Sequence, residues 1–290
     1  MERNNGETMQ NILSIIQQYK IADEICANEY ENCSVQIRGL LKTAIAFHFS
    51  ESVYPKNCEQ FTEHSSSGFC QGYKKQNISA LLFLVDKKYD SPAKFLSLLC
   101  RSIRANVQQC FVFIDKNMPE ETFRLFINCL ELCGIENSYY LPDKAVLNDF
   151  YAKMQKIAGT QVKLINCNEN NQDFIALKQK DIFTENLPLE IIAQKSQKKF
   201  LELAYGKSAA VTYQTQNSPQ TARKHFQNIL EHCFEHGKDN YDISFISTKT
   251  AEQNYGMGME FCFTHPQLPQ NFFNDTVIFS NLESNYPISE

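Results

Sequence analysis

Tryptophan is absent and glycine is scarce, with ten in 290 residues; the shortage of glycine excludes more. A dinucleotide-binding or P-loop fold opens on a glycine-rich turn after its first strand, because only glycine lets the backbone approach a pyrophosphate closely. Here the apolar run Ile78–Val85 leads into Asp86-Lys87-Lys88-Tyr89. No GxxxxGK(S/T) loop occurs, which excludes P-loop chemistry, and Lys87 and Lys88 suit a solvated loop. Long apolar runs are missing as well, since Ile78–Val85 falls far short of the roughly 20 residues that cross a bilayer. Met1–Gln10 is polar and has no signal-peptide core, so a soluble, cytoplasmic protein without a membrane partner is expected. Positive charge is not in excess: the net charge is −5, and no basic stripe interleaved with aromatics is present. Nucleic acid is therefore not an expected partner. CxxC pairs are absent too. Eleven cysteines scattered singly read as free thiols in a reducing compartment, and Cys129 and Cys133, four apart in a helical stretch, read as core.

The chain does hold the material of a core, with a hydrophobic fraction of 43%, 22 phenylalanines and 13 tyrosines. Helical spacing runs through Ile12, Ile15, Ile16 and Tyr19, and again through Ile37, Leu40, Leu41, Ala44 and Ile45. Pro55–Lys75 reads as a polar connector. Ile78–Val85 and Cys110–Ile114 are apolar on both faces, as strands covered on both sides of a parallel sheet are. Ser91-Pro92 predicts a helix start and Gly134 the end of a helix opened at Met118–Glu121. Ile135–Leu141 follows as a third strand, and strand, helix, strand, helix, strand implies right-handed βαβ crossovers. Further strands are expected at Gln161–Ile165, Ser208–Tyr213, Tyr241–Ser247, Met259–Phe263 and Thr276–Phe279, with helices at Leu189–Leu203 and Ser218–His236. The predicted class is α/β, with incomplete, Rossmann-like parallel-sheet lobes. Its predicted organisation is an N-terminal helical segment and connector over 1–77, a first lobe over 78–205 and a second, shorter lobe over 206–290.

The densest polar cluster is Glu231-His232-Cys233-Phe234-Glu235-His236-Gly237-Lys238-Asp239. His232 and His236 share a helical face, and imidazole nitrogens with a thiolate are zinc ligands. His265 is the candidate for a further ligand by elimination. The same histidines equally suit a helix C-terminus, where they complement the dipole. Neither a Cys–His pair nor a Ser–His–Asp triad has a local signature such as GxSxG.

At this cluster the sequence resembles the histidinol dehydrogenase family, whose helix ending in Gln-Ala-Glu-His-Gly-Pro-Asp is matched by Cys233-Phe234-Glu235-His236-Gly237-Lys238-Asp239. Other segments match in order: Ile45-Ala46-Phe47-His48, Phe69-Cys70-Gln71, the stretch Leu81 to Ile114, Leu132-Cys133-Gly134-Ile135, Gly206-Lys207-Ser208, Asn254-Tyr255-Gly256 and Val277-Ile278-Phe279. Coverage is about residues 37 to 280. The resemblance implies nucleotide-fold-like, aldehyde dehydrogenase-like lobes, zinc and NAD as cofactors, oxidation of an amino alcohol to an amino acid, and a homodimer as a candidate assembly.

The departures fall on the chemistry. The family's Tyr-Ile-Pro-Gly-Gly becomes Leu84-Val85-Asp86-Lys87-Lys88, and its Gly-Gly-Ala-Gln becomes Pro142-Asp143-Lys144-Ala145. Its Glu-His acid–base pair becomes Gly258-Met259, neither of which can take a proton from an alcohol. Of the zinc ligands the resemblance carries over only His236, with Cys233 in place of glutamine; of the substrate contacts it carries over Ser208. The expectation is a divergent, non-catalytic relative without NAD or zinc, acting as a binding or scaffold protein toward a small molecule or a protein. The alternative is an active NAD-dependent dehydrogenase acting on an amino alcohol such as histidinol. Its rebuilt metal site would use His236, Cys233 and His232, with Glu235 as base.

Overall fold

The computed structural model describes residues 2–50, 59–64, 69–158, 162–167, 181–185, 189–194, 198–206, 209–214, 246–247, 250–254, 258, 260–265, 268–269 and 272–282. Among these residues the N-terminal part is helical, with α1 (Glu2–Ile16), a 3-10 turn at Gln17–Tyr19, α2 (Asp23–Glu31) and α3 (Val35–Ser50). Next come β1 (Glu59–His64), β2 (Phe69–Asn77) and β3 (Ala80–Val85), then α4 (Pro92–Arg104), β4 (Gln109–Ile114), α5 (Glu120–Cys133), β5 (Ser138–Tyr140), α6 (Lys144–Ala158), β6 (Val162–Cys167) and β7 (Ile182–Thr184). The remainder holds β8 (Leu189–Gln194), α7 (Lys198–Tyr205), β9 (Ala209–Gln214), β10 (Ile246–Ser247), β11 (Thr250–Asn254) and β12 (Asn274–Leu282).

Five strands form a parallel sheet in the order β5-β4-β3-β6-β7. The chain starts at the central strand, winds outward through α4 and α5 to β5, and returns past α6 to β6 on the other side of β3. This is the doubly wound, Rossmann-like arrangement, and its switch point lies between β3 and β6. Alternation explains why β3 and Cys110–Ile114 of β4 are apolar throughout. Leu81, Phe83 and Val85 of β3, with Cys110, Val112 and Ile114 of β4, face the core shared with α4 and α5. Ala80, Leu82, Leu84, Phe111 and Phe113 face the core shared with α1 and α6. A strand buried on both faces has no polar side to show.

Helix boundaries follow local chemistry. Pro92 occupies the first turn of α4, and Gly134 closes α5 at φ 69, a left-handed conformation that costs a side chain about 1 kcal/mol. The other described strands form an antiparallel sheet, β1-β2-β12, and a mixed sheet, β10-β11-β8-β9.

Three expectations are corrected. Within Pro55–Lys75 the described residues form the β1–β2 hairpin, from Glu59 opposite Lys75 to His64 opposite Cys70; an antiparallel sheet tolerates long polar strands because one face can meet water. Leu189–Leu203 divides into β8 and α7. β8 pairs in parallel with both β9 and β11, so ladder hydrogen bonds override the helical spacing. Phe261, Cys262 and Phe263 lie in turn and coil, although all three are buried; core packing alone makes this run apolar. The expected helix at Ser218–His236 lies outside the described residues, as does Tyr241–Ser247 apart from Ile246 and Ser247.

Candidate functional site

In a doubly wound sheet ligands bind outside the carboxyl ends of the strands at the switch point, here beyond the paired residues Val85 and Cys167. The turns along this edge are closed by aspartates. Asp86 Oδ1 accepts the Lys88 N–H at 2.8 Å after β3. Asp115 Oδ1 accepts the Asn117 N–H at 2.8 Å after β4. After β5, Asp143 Oδ1 accepts the N–H groups of Ala145 and Val146, each at 3.0 Å, as an N-cap does. Backbone N–H groups at such turns are what a bound pyrophosphate uses; here carboxylates hold them and add negative charge.

Behind these turns the switch point is filled by buried side chains. Lys94, in the first turn of α4, reaches Glu185, just past β7, with Nζ and Oε1 3.2 Å apart and both side chains almost wholly enclosed. Tyr89, which ends the first turn, is buried beside them. Its hydroxyl has Glu185 and Cys167 as electrostatic neighbours but no hydrogen bond of ordinary length and angle. Burial, then Glu185 and Cys167, raise the Tyr89 pKa well above that of a free phenol. Burial, then Glu185, similarly raises that of Cys167. Both groups are therefore neutral near pH 7, and neither is an activated nucleophile. Ser91 anchors the start of α4 by donating to the Ala204 carbonyl at 3.2 Å.

Lys87 and Lys88 are exposed, as expected of a solvated loop. Gly258, at the position expected for a general base, sits in a turn at φ 85 and donates its N–H to Glu260 Oε1 at 3.2 Å. Ser208, His232, Cys233, Glu235, His236 and Met259 lie outside the described residues. His265 is described and is enclosed: Nε2 lies 3.1 Å from the Lys94 carbonyl, and the ring meets Phe263 and Phe183 edge to face. Its pKa is held well below the usual imidazole value by burial, then by Lys94 and Arg101. The same two cations would oppose a metal bound at His265, whose suggested partners His232, Cys233 and His236 lie outside the described residues. Among the described residues no group of three or more His, Cys, Asp or Glu side chains could hold a metal ion, and no helix is long and apolar enough to cross a membrane.

Sequence reasoning missed Lys94, Tyr89 and Glu185. A lysine in the first turn of a helix opened by Ser-Pro reads as solvated, and nothing local announces its burial.

No protein-family profile matches the sequence, and no curated protein does. Among solved structures, histidinol dehydrogenase from Elizabethkingia anophelis is 11% identical, with 91% of this chain and 77% of that chain covered at a TM-score of 0.44. The γ-glutamyl phosphate reductase from Saccharomyces cerevisiae is 11% identical, with 85% and 72% covered at a TM-score of 0.25. One neighbour is named a dehydrogenase and the other a reductase. Likeness of this degree assigns no residue a role.

Proposed function

We propose that this protein is a binding or scaffold protein on a dehydrogenase-like α/β frame, one that does not perform NAD- and zinc-dependent hydride transfer. The observation that carries the reading is the state of the sheet's carboxyl edge. Asp86, Asp115 and Asp143 hold the turn N–H groups, so a dinucleotide phosphate would meet carboxylates where it needs donors. It would also have to displace Tyr89 and the Lys94–Glu185 pair. Separating a buried ion pair is among the costlier steps a ligand can demand. The replacement of the family's acid–base pair by Gly258-Met259 supports the same reading, because neither of these two residues has a side chain that can take a proton.

The test is a calorimetric titration of the full chain with NAD, together with an assay of NADH formation from histidinol with added zinc. The expected result is no saturable NAD binding below about 1 mM and no turnover. A dissociation constant in the low micromolar range, on the order of −8 kcal/mol, would overturn the reading. Turnover near 1 s⁻¹, at about the lower end of ordinary enzymes, would do so as well and would favour a rebuilt metal site around His236.

A further inference from the structure

Lys94, Ser97, Arg101 and Arg104 recur along one face of α4 at helical spacing. The end of α3 and the segment 260–265 lie against this helix: Arg104 donates Nη1 to the His48 carbonyl, and Arg101 donates Nη1 to the His265 carbonyl at 2.8 Å. Four polar atoms here are buried without a hydrogen-bond partner, namely Ser97 Oγ, both ring nitrogens of His48 and Nδ1 of His265. His48 and His265 are each 1% exposed and Ser97 is fully enclosed. The two imidazoles are close enough to influence each other electrostatically, and Arg101 acts on both. Folded proteins leave few such atoms unsatisfied, and several of them beside one helix face call for a polar partner.

We propose that this cluster binds a small oxyanion of the phosphate class, held by Arg101, Ser97, His48 and His265. The charges present decide the sign of the ligand. A divalent cation would be opposed by Arg101, Arg104 and Lys94, and an apolar molecule would leave the four atoms as they are. Lys94 is committed to Glu185, and Arg104 to the end of α3. Arg101 makes one hydrogen bond, to a neutral carbonyl, and no carboxylate pairs with it among the described residues. Its place in the last turn of α4 offsets only about half a charge of helix dipole. A guanidinium fork can grip two oxygens of a phosphate. The His265 Nε2–H is spent on the Lys94 carbonyl, so its Nδ1 can only accept, from the hydroxyl of a singly protonated phosphate, while the neutral His48 ring and the Ser97 hydroxyl can each donate to the phosphate oxygens. Arg101 and Arg104 are partly buried, whereas Ser97, His48 and His265 are enclosed. The site lies beyond the first turn of α4, where a dinucleotide phosphate would sit, and so stands apart from the reading above.

The test titrates the full chain with inorganic phosphate, with a simple phosphate monoester such as glycerol phosphate, and with chloride at matched ionic strength. The nitrogen resonances of the His48 and His265 rings are the readout. Saturable shifts of both rings with either phosphate, but not with chloride, are expected, and the tighter of the two ligands identifies the source. Arg101→Gln should weaken binding about tenfold or more, while Lys87→Gln, at an exposed lysine outside the cluster, should leave it unchanged. Where Arg101→Gln does not fold, the unaltered chain still decides through the chloride comparison. Ring signals that follow chloride and phosphate alike, or a folded Arg101→Gln that binds as the parent does, would overturn the proposal.

Discussion

His48 shows how far surroundings move a single side chain. Burial, followed by Arg101 and Arg104, holds its pKa down at about 4, below the usual value near 6.5. The unfolded chain therefore takes up this proton first as pH falls. The folded state keeps its full margin from this group above about pH 6.5 and loses it progressively toward pH 4, by about 3 kcal/mol at most. His265 acts with the same sign, because burial, Lys94 and Arg101 lower its pKa too. Urea unfolding at pH 7 and pH 4.5 should show the parent losing more stability than His48→Gln. Identical losses would mean that His48 does not titrate differently in the two states. His48 was legible in the sequence as one position of a helical segment, but its enclosure beside two arginines was not, since α4 and α3 meet only in the folded chain.

At the scale of elements, glycine separates what a turn needs from what packing needs. Gly134 and Gly206 both adopt positive φ, at 69° and 53°. A Cβ at Gly134 would meet open space, whereas one at Gly206 would overlap both the side chain and the carbonyl of Asp90. Gly134→Ala should therefore cost about 1 kcal/mol, the backbone penalty alone. Gly206→Ala should cost that penalty and a steric one, about 2–4 kcal/mol in all. Thermal unfolding of the two variants measures the difference, and equal costs would show that the Asp90 turn yields freely. The end of α5 was legible because a left-handed cap is a local matter. The division of Leu189–Leu203 into strand and helix was not, because β8 owes its conformation to β9 and β11, which lie later in the chain.

Across the whole molecule, the Lys94–Glu185 pair ties the helix after the central strand to the far side of the parallel sheet. Removing one member leaves the other charge buried, so Lys94→Met and Glu185→Leu should each cost about 3–5 kcal/mol. The double variant should cost far less than their sum, because two apolar side chains need no partner. Additive losses in a denaturant-melt cycle would show that the two groups do not depend on each other. What the sequence by itself determined is the α/β class and the parallel pairing of Ala80–Val85 with Gln109–Ile114. Strands apolar on both faces and helices bounded by Ser-Pro and Gly carry their signals within a few residues. Tertiary structure alone decided which strand became the switch point, that Tyr89, Lys94, Cys167 and Glu185 fill it, and that His48 and His265 face one stretch of α4. Those groups come from segments up to 217 residues apart, from His48 to His265, and the free energy that buries their polar atoms belongs to the packed core around them rather than to any local pattern.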